Sequence, residues 1–149
     1  MREPSGAVEE HRSRSMGKAK SSGKTLIVDD EEDMRLLLQL TINIADDGLR
    51  VVGEAASGEA ALIIQENLDI DVVVLDQRMP GMSGMETAEA LLAEEPGLPI
   101  VLYTAAATGP LADEARELGV LRCVQKGDCA SLIAALREVT GLDIGDSTP

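Results

Sequence analysis

The sequence contains no Trp and no Phe, and Tyr103 is its single Tyr. A hydrophobic core must therefore be aliphatic, and 44% of the residues are hydrophobic, which is enough to build one. No apolar run approaches the ~18 residues of a membrane span. The N-terminal segment is charged and lacks an apolar h-region, which argues against a secretory signal peptide. We therefore expect a cytoplasmic protein of about one domain with no membrane association.

Cysteine and histidine are also scarce. Cys123 and Cys129 are six residues apart, and the single His is His11. This spacing does not match a structural zinc site, and two cysteines do not make a disulfide framework. We expect two reduced thiols.

Basic residues are few outside the N-terminal segment. Residues 1–24 carry six Lys/Arg and three acidic residues, whereas residues 25–149 carry seven Lys/Arg and 24 acidic residues. The net charge of −14 argues against a nucleic-acid surface, so we expect no direct DNA binding. Residues 1–23 have no apolar periodicity and are predicted to be a disordered basic arm. The folded domain is predicted over residues 24–141, and residues 142–149 are predicted to be a flexible tail.

After this arm, short apolar runs alternate with segments of helical periodicity. The predicted strands are TLIVD, LRVVGEA, DVVVLD, PIVLYTA and LRCVQ. Helix signals lie between and after them: Ser57 and Asp128 as N-caps, Pro110 in a first turn, and Gly119 and Gly141 just past helix ends. Five strands alternating with five helices predict an α/β fold with a doubly wound, five-stranded parallel sheet.

The first predicted helix, EEDMRLLLQLTINIA, carries an apolar face at helical spacing. That face is predicted to contain Met34, Leu37, Leu38, Thr41, Ile42 and Ala45. Asp46, Asp47 and Gly48 are expected to close the helix. The third strand is apolar throughout, which predicts burial on both faces of the sheet.

The stretch SSGKTLIVDDEED contains two conflicting signals. Gly23-Lys24-Thr25 resembles the end of a phosphate-binding P-loop, but that motif requires a Gly at the position of Lys18, and it must follow a strand. The nearest Gly is Gly17, and no strand is predicted before it. We therefore interpret the Ser/Gly/Lys segment as a flexible linker and assign the chemistry to the acidic half.

In parallel α/β sheets, sites form beyond the carboxyl ends of the strands. The residues at these ends are Asp29, Asp30, Asp76, Thr104 and Lys126. Three carboxylates in one cleft require compensation, and Mg²⁺ is a suitable cation because it prefers carboxylate and phosphate oxygens. Helix N-capping is an alternative for the two adjacent aspartates, because both precede a helix.

Four segments carry a family resemblance: LIVDDEEDMR, VVVLDQRMPGMSGMET, VLYTAAA and CVQKGD. Over residues 24–141 the chain resembles bacterial response-regulator receiver domains, which have the CheY-like, flavodoxin-like fold. The resemblance implies that Asp76 accepts a phosphoryl group. It also implies that Thr104 and Lys126 contact that group. Its implied Mg²⁺ ligands are Asp29, Asp30, Asp76 and the backbone carbonyl of Arg78.

Two positions depart from this family pattern. Cys123 stands where an aromatic switch residue is common, and Gly127 stands where the lysine is usually followed by Pro. The KGD sequence resembles receivers joined to NarL-type DNA-binding domains, but only about eight residues follow the fifth predicted helix. A stand-alone receiver is therefore expected.

The resemblance implies a phosphoacceptor that assists its own phosphorylation and dephosphorylation and is not otherwise an enzyme. Its expected partners are a histidine kinase or phosphotransfer protein and an unknown downstream protein, with a homodimer as a further option. The alternative is a degenerate receiver that serves as a phosphorylation-independent interaction module. A haloacid-dehalogenase type phosphatase is disfavoured because that family has an Asp two residues after its nucleophile, where this chain has Arg78.

Overall fold

The computed structural model describes residues 23–45 and 48–142. Three expectations lie outside these residues: the disordered arm over residues 1–22, the role of Asp46 and Asp47 in closing the first helix, and the tail over residues 143–149.

Five strands and five helices alternate along the described chain. They are β1 (Gly23–Val28), α1 (Glu32–Ala45), β2 (Leu49–Ala55), α2 (Gly58–Asn67), β3 (Val72–Leu75), α3 (Gly84–Glu94), β4 (Ile100–Thr104), α4 (Gly109–Leu118), β5 (Arg122–Gln125) and α5 (Cys129–Thr140). The strands are parallel and lie in the order β2-β1-β3-β4-β5. The predicted doubly wound α/β fold is confirmed. Strand order reverses between β1 and β3, so a crevice is expected at their carboxyl ends.

The sheet separates two hydrophobic clusters. One lies under α2, α3 and α4 and includes Leu26, Ala61, Leu91 and Ala115. The other lies under α1 and α5, and Ile27 contributes to it from the same strand as Leu26. Adjacent residues of a strand point to opposite faces, so β1 supplies both cores. All four residues of β3 are buried, as its apolar run predicts.

The predicted helix signals are confirmed. The side chains of Ser57 and Asp128 accept hydrogen bonds from backbone amides in the first turns of α2 and α5. Pro110 lies in the first turn of α4. Gly119 and Gly141 end α4 and α5 with φ values of 116° and 79°, a conformation that costs glycine little. No helix among the described residues is long and apolar enough to cross a membrane.

The first strand begins earlier than its apolar run indicates. Gly23 and Lys24, interpreted as linker, pair with Leu49 and Arg50 of β2. A Cβ at Gly23 would lie 2.7 Å from Leu49 Cδ2, a side-chain methyl that would have to shift to admit a larger residue. The Gly-Lys-Thr sequence is therefore part of a strand, which is incompatible with a P-loop and also corrects the linker interpretation.

The predicted apolar face of α1 is correct only in part. Leu38 and Ile42 are buried in the second cluster, but Leu37 is 49% exposed. The helix has more apolar residues than one face can bury, because the sheet covers only the line through Leu38 and Ile42. The remainder form an exposed apolar stripe, defined here as Leu36, Leu37, Leu40 and Ile44.

Candidate functional site

Two aspartates are fixed by backbone hydrogen bonds that continue the sheet beyond its strand ends. Asp29 follows β1, and its N–H donates to the carbonyl of Ala55 at 3.0 Å. Asp76 follows β3, and its N–H donates to the carbonyl of Val28, also at 3.0 Å. Because β1 and β3 are neighbours, these bonds place the two side chains at the point where strand order reverses.

Asp29, Asp30 and Asp76 form one carboxylate cluster, as predicted. One oxygen from each lies within 4.8 Å of the others. Asp29 and Asp76 are 1% and 5% exposed, whereas Asp30 is exposed. Asp29 Oδ1 also accepts a hydrogen bond of 2.9 Å from the amide of Glu31, just before α1. Asp29 therefore shapes the entry to the helix with one oxygen and contributes the other to the cluster.

Lys126 is the cation that pairs with two carboxylates of this cluster. Its Nζ lies 2.9 Å from Asp29 Oδ2 and 3.2 Å from Asp76 Oδ2. The lysine follows β5, and its backbone N–H donates to the carbonyl of Thr104 at 2.9 Å. Burial alone lowers the pKa of Lys126, but the hydrogen bond and charge of Asp29, together with Asp76, outweigh burial and raise that pKa. The lysine is therefore held in its charged form.

At Asp76, the effect of burial on the pKa outweighs that of the neighbouring cation. Burial raises the pKa of its carboxyl, and the charge of Asp29 raises it further. The Lys126 ammonium and the amide of Gln77, which donates to Asp76 Oδ1 at 2.8 Å, lower the pKa but do not cancel that rise. One lysine thus does not fully compensate the buried negative charge.

The donor set fits Mg²⁺. Three carboxylates within 4.8 Å of one another offer hard oxygen ligands, and the raised pKa of Asp76 indicates that a further cation would be favourable. The exposed Asp30 gives the cluster an open side toward solvent. Arg78 is exposed, and the role of its backbone carbonyl as a ligand stays a prediction.

Thr104 lies where predicted, at the end of the strand next to β3. It is fully buried, and its Oγ1 accepts a hydrogen bond of 3.4 Å from the amide of Ala106. Buried hydroxyls are normally hydrogen-bonded, and this long bond is a weak one. The hydroxyl is the acceptor in this bond, so its own O–H is not used by it and can be donated to an acceptor that enters the site.

The loop after Asp76 is held against the start of α3. Gly84 N–H donates to the carbonyl of Gln77 at 2.9 Å, and Met85 N–H donates to Gln77 Oε1 at 2.9 Å. A Cβ at Gly84 would clash with the carbonyl oxygen of Asp76, so only glycine permits this approach. Gly81 turns the loop with a φ of 80°. Gly81 and Gly84 therefore allow the loop to fold back against the backbone of Asp76.

The sequence matches the response regulator receiver domain family over residues 25–137. The chain belongs to this family. It is 34% identical over 118 residues to the response regulator GacA of Pseudomonas aeruginosa, a match that covers 78% of this chain and 54% of that protein. The nitrate/nitrite response regulator NarL of Escherichia coli K12 is 38% identical over 79 residues, which cover 53% of this chain and 36% of NarL. The chain thus spans about half the length of GacA and less of NarL.

Solved receiver-family structures agree with the fold. Vibrio cholerae chemotaxis protein CheY4 superposes with a TM-score of 0.72 at 27% identity, covering 80% of this chain and 99% of that one. A two-component response regulator of the LuxR family from Aurantimonas sp. gives a TM-score of 0.77 at 27% identity, covering 81% and 86%. The fold of this chain is therefore that of the receiver family.

The departures from the family pattern have structural counterparts. Cys123 is partly buried against the first hydrophobic cluster, and burial raises the pKa of its thiol. Both described cysteines are free, as predicted. Gly127 has a φ of 98°, which proline cannot adopt.

Sequence reasoning missed two side chains that hold the site loops. Gln125 Nε2 donates to the carbonyl of Ala105 at 2.7 Å, and its Oε1 accepts from the amide of Ala107 at 3.2 Å. Tyr103 Oη accepts from the amide of Gly127 at 2.9 Å. Each lies next to a predicted site residue in sequence, which is the only signal that could have singled it out.

Proposed function

We propose that this receiver accepts a phosphoryl group on Asp76 from a histidine kinase or phosphotransfer protein and acts in cytoplasmic two-component signalling. The observation that carries the proposal is the meeting of Asp29, Asp76 and Lys126 at the switch point of the sheet, with Asp30 open to solvent. Membership of the receiver family supports the same role.

The chemistry is an in-line displacement. An Asp76 carboxylate oxygen attacks the phosphorus of a phosphohistidine. The new P–O bond forms as the P–N bond breaks, and the histidine nitrogen keeps the electron pair. The product is an aspartyl phosphate. Lys126, now paired with both carboxylates, would pair with the incoming phosphoryl oxygens, and the Thr104 hydroxyl would donate to another of them.

Asp29, Asp30, Asp76 and the Arg78 carbonyl would hold Mg²⁺, which when bound neutralises the negative charge that collects on the phosphoryl oxygens. The chain's own residues position the nucleophile and its counter-charges, which is most of the catalysis that phosphoryl transfer needs. On this proposal the protein assists its own phosphorylation and dephosphorylation and has no separate substrate.

The exposed apolar stripe of α1 supports a helical protein as phosphodonor. A donor histidine must approach Asp76, so the donor must contact the surface around the site. The α1 helix begins at Glu32, two residues after Asp30. The exposed apolar stripe runs along one side of this helix and comprises Leu36, Leu37, Leu40 and Ile44. An amphipathic helix of the donor would bury this stripe.

Output is proposed to pass through a protein contact, with no direct DNA binding by this domain, because the chain has a net charge of −14. The proposed output surface comprises α4, β5 and α5. It carries the ion pairs Asp113–Arg116 and Arg122–Glu138. A homodimer through the same surface is an option of this proposal.

A degenerate, phosphorylation-independent interaction module is the second candidate. Cys123 favours it, because a small side chain there cannot rotate inward as an aromatic switch residue would. On this view the ion pairs of Lys126 with Asp29 and Asp76 would simply hold the domain in one state.

Labelling with a small phosphodonor and Mg²⁺ separates the two candidates. Wild type should become phosphorylated, and Asp76→Asn, which keeps the side-chain shape without the nucleophile, should not. Asp113→Asn, the same change on exposed α4, is the matched control and should label normally. Unlabelled wild type, or labelled Asp76→Asn, would refute the assignment.

A further inference from the structure

Tyr103, the only aromatic residue in the chain, links β4 to the loop that carries Lys126. Its ring is 2% exposed and packs in the cluster under α1 and α5. Its hydroxyl emerges at the carboxyl end of the sheet and accepts the Gly127 amide at 2.9 Å. Cys129 Sγ lies 3.9 Å from the same oxygen. The receiver motifs named above assign no role to this side chain.

The last two residues of β4 accept hydrogen bonds from two successive amides of the loop that follows β5. The carbonyl of Thr104 accepts from Lys126 N–H at 2.9 Å, and the hydroxyl of Tyr103 accepts from Gly127 N–H at 2.9 Å. The amides on both sides of the Lys126 Cα are thus held by one strand. These two bonds restrict the position of that Cα and the direction in which the lysine side chain leaves the backbone.

Gly127 and Tyr103 are matched to one another. Gly127 has a φ of 98° and an N–H that donates to the Tyr103 hydroxyl, and a proline could supply neither. The receiver pattern usually has Pro after the lysine, and its ring restricts the backbone at that position. Gly127 does not restrict the backbone in this way, so a hydrogen bond to another part of the protein is needed to fix it. The Tyr103 hydroxyl supplies the acceptor for that bond from the neighbouring strand.

The backbone of Lys126 must be placed accurately for its ammonium group to reach both carboxylates. Its Nζ contacts two buried carboxylates at 2.9 and 3.2 Å, so a small displacement of its backbone would lose one of them. Misplacement of a charged group by about 1 Å can cost about 100-fold in rate. Besides the Tyr103 hydroxyl, the loop is held by the Asp128 N–H, which donates to the Gln125 carbonyl at 3.1 Å. Gly127 itself is not held by packing around a side chain, because the space that its Cβ would fill is open.

We propose that Tyr103 is a positioning residue whose hydroxyl holds the Lys126–Gly127 peptide and so directs the lysine ammonium at Asp29 and Asp76. The effect on phosphorylation rests on the proposed function. The effect on the lysine does not, because the ion pairs exist in the unphosphorylated protein.

Tyr103→Phe removes one oxygen and keeps the ring in the core. The Gly127 amide should lose protection from hydrogen exchange, and the Nζ ammonium signal of Lys126 in nitrogen-detected NMR should broaden or vanish. Gly127 is exposed, so water can replace the lost acceptor and Tm should fall by no more than about 4 °C. Thr140→Val, which removes an α5 hydroxyl bonded to the Leu136 carbonyl, is the control and should leave both signals unchanged.

Phosphorylation provides the second measurement. Tyr103→Phe should slow labelling of Asp76 by about 3- to 30-fold. In a Lys126→Met background the same change should have no further effect, because a residue that acts through the lysine has nothing left to position. An equal slowing in both backgrounds, or an unchanged Lys126 ammonium signal in Tyr103→Phe, would overturn the proposal.

The single tyrosine also permits a test that keeps the Tyr103 hydroxyl in place. Biosynthetic 3-fluorotyrosine labels position 103 alone, and its ¹⁹F signal should shift when Lys126→Met breaks the ion pairs. An unchanged signal would contradict coupling between Tyr103 and the lysine. If wild type takes up no phosphoryl group, the proposed function fails, whereas the two NMR measurements still decide whether Tyr103 positions Lys126.

Discussion

Lys126 Nζ lies 3.2 Å from Asp76 Oδ2. The residue proposed to neutralise a phosphoryl group is therefore already ion-paired with the carboxylate that would receive that group. The same ammonium is 2.9 Å from Asp29 Oδ2. In the unphosphorylated protein, the lysine therefore serves as the counter-ion of the acid cluster. It must share that cluster with any metal ion and move when the phosphoryl group arrives.

We predict that Lys126→Met tightens Mg²⁺ binding by about 3- to 10-fold, because removing a positive charge near a divalent ion strengthens its attraction to the carboxylates. Lys24→Met, which removes an ion pair with Asp69 at the other end of β1, should leave Mg²⁺ affinity unchanged. Isothermal calorimetry of the unphosphorylated proteins measures both. Weaker binding in Lys126→Met would mean that the lysine organises the aspartates more than it competes with the ion.

Asp76→Asn should stabilise the metal-free protein at neutral pH. Because the pKa of Asp76 is raised, the folded protein binds its proton more tightly than the unfolded chain does. The ionised carboxylate therefore lowers the free energy of unfolding at pH 7. Asparagine removes this penalty, and we expect a gain of about 1 kcal/mol, or about 3–5 °C in Tm.

The sign of the pH dependence follows from the same pKa. The stability difference between Asp76→Asn and wild type should be smallest below the ordinary carboxyl pKa of 3.8. It should grow as pH rises through the raised folded-state value and then level off. Thermal melts from pH 3 to pH 8 in EDTA measure this difference. Saturating Mg²⁺ should remove the advantage, and a difference that shrinks with rising pH would contradict the argument.

The sequence was sufficient to predict that the strand-end residues meet, because parallel strands bring their carboxyl ends to one edge of the sheet. Asp29, Asp76 and Lys126 follow three different apolar runs and meet in the structure. The contact between Tyr103 and Gly127 could not be predicted in this way. The run IVLYT has no alternation of apolar and charged residues and is buried throughout, so its pattern does not reveal which side of the sheet Tyr103 faces.

The exposed stripe of α1 and the start of β1 were missed for related reasons. Leu36, Leu37 and Leu38 are consecutive, so helical periodicity does not determine which of them the sheet covers. Gly23 and Lys24 are not apolar, yet they extend β1 because Gly23 N–H donates to the Gly48 carbonyl and Lys24 N–H to Asp71 Oδ2. Contacts between distant residues outweigh local composition in both cases.

The lifetime of the phosphorylated state is predicted to depend on Arg78. This side chain is exposed two residues after Asp76, and Ala106, two residues after Thr104, has no polar group to orient a water. A long cation at the mouth of the site can shield the phosphoryl group, so Arg78→Ala should speed dephosphorylation by about 2- to 10-fold. Arg50→Ala, an exposed arginine on β2, is the control. Equal decay of the labelled proteins would show that Arg78 plays no such role.

Gln125 is predicted to control how the signal leaves the site. Its side chain holds Ala105 and Ala107, two residues of the loop that follows Thr104. A phosphoryl group adds about −1.5 to −2 charge at Asp76 and would draw Thr104 and Lys126 toward it, so this loop and α4 must shift together. Because Cys123 stands in place of an aromatic residue, no ring rotation at that position can accompany this shift. The two hydrogen bonds of the Gln125 side-chain amide oppose the shift.

Gln125→Ala should therefore loosen the loop before any phosphorylation takes place. Hydrogen exchange of the Ala107 amide should accelerate by about 5-fold, because one hydrogen bond of about 1 kcal/mol no longer protects it. Gln39→Ala on α1 should have no such effect. A phosphoryl mimic added to wild type should change protection across residues 105–123. Changes confined to Asp29, Asp30 and the loop after Asp76, with none from Ala105 to Cys123, would mean that the signal does not pass through this loop.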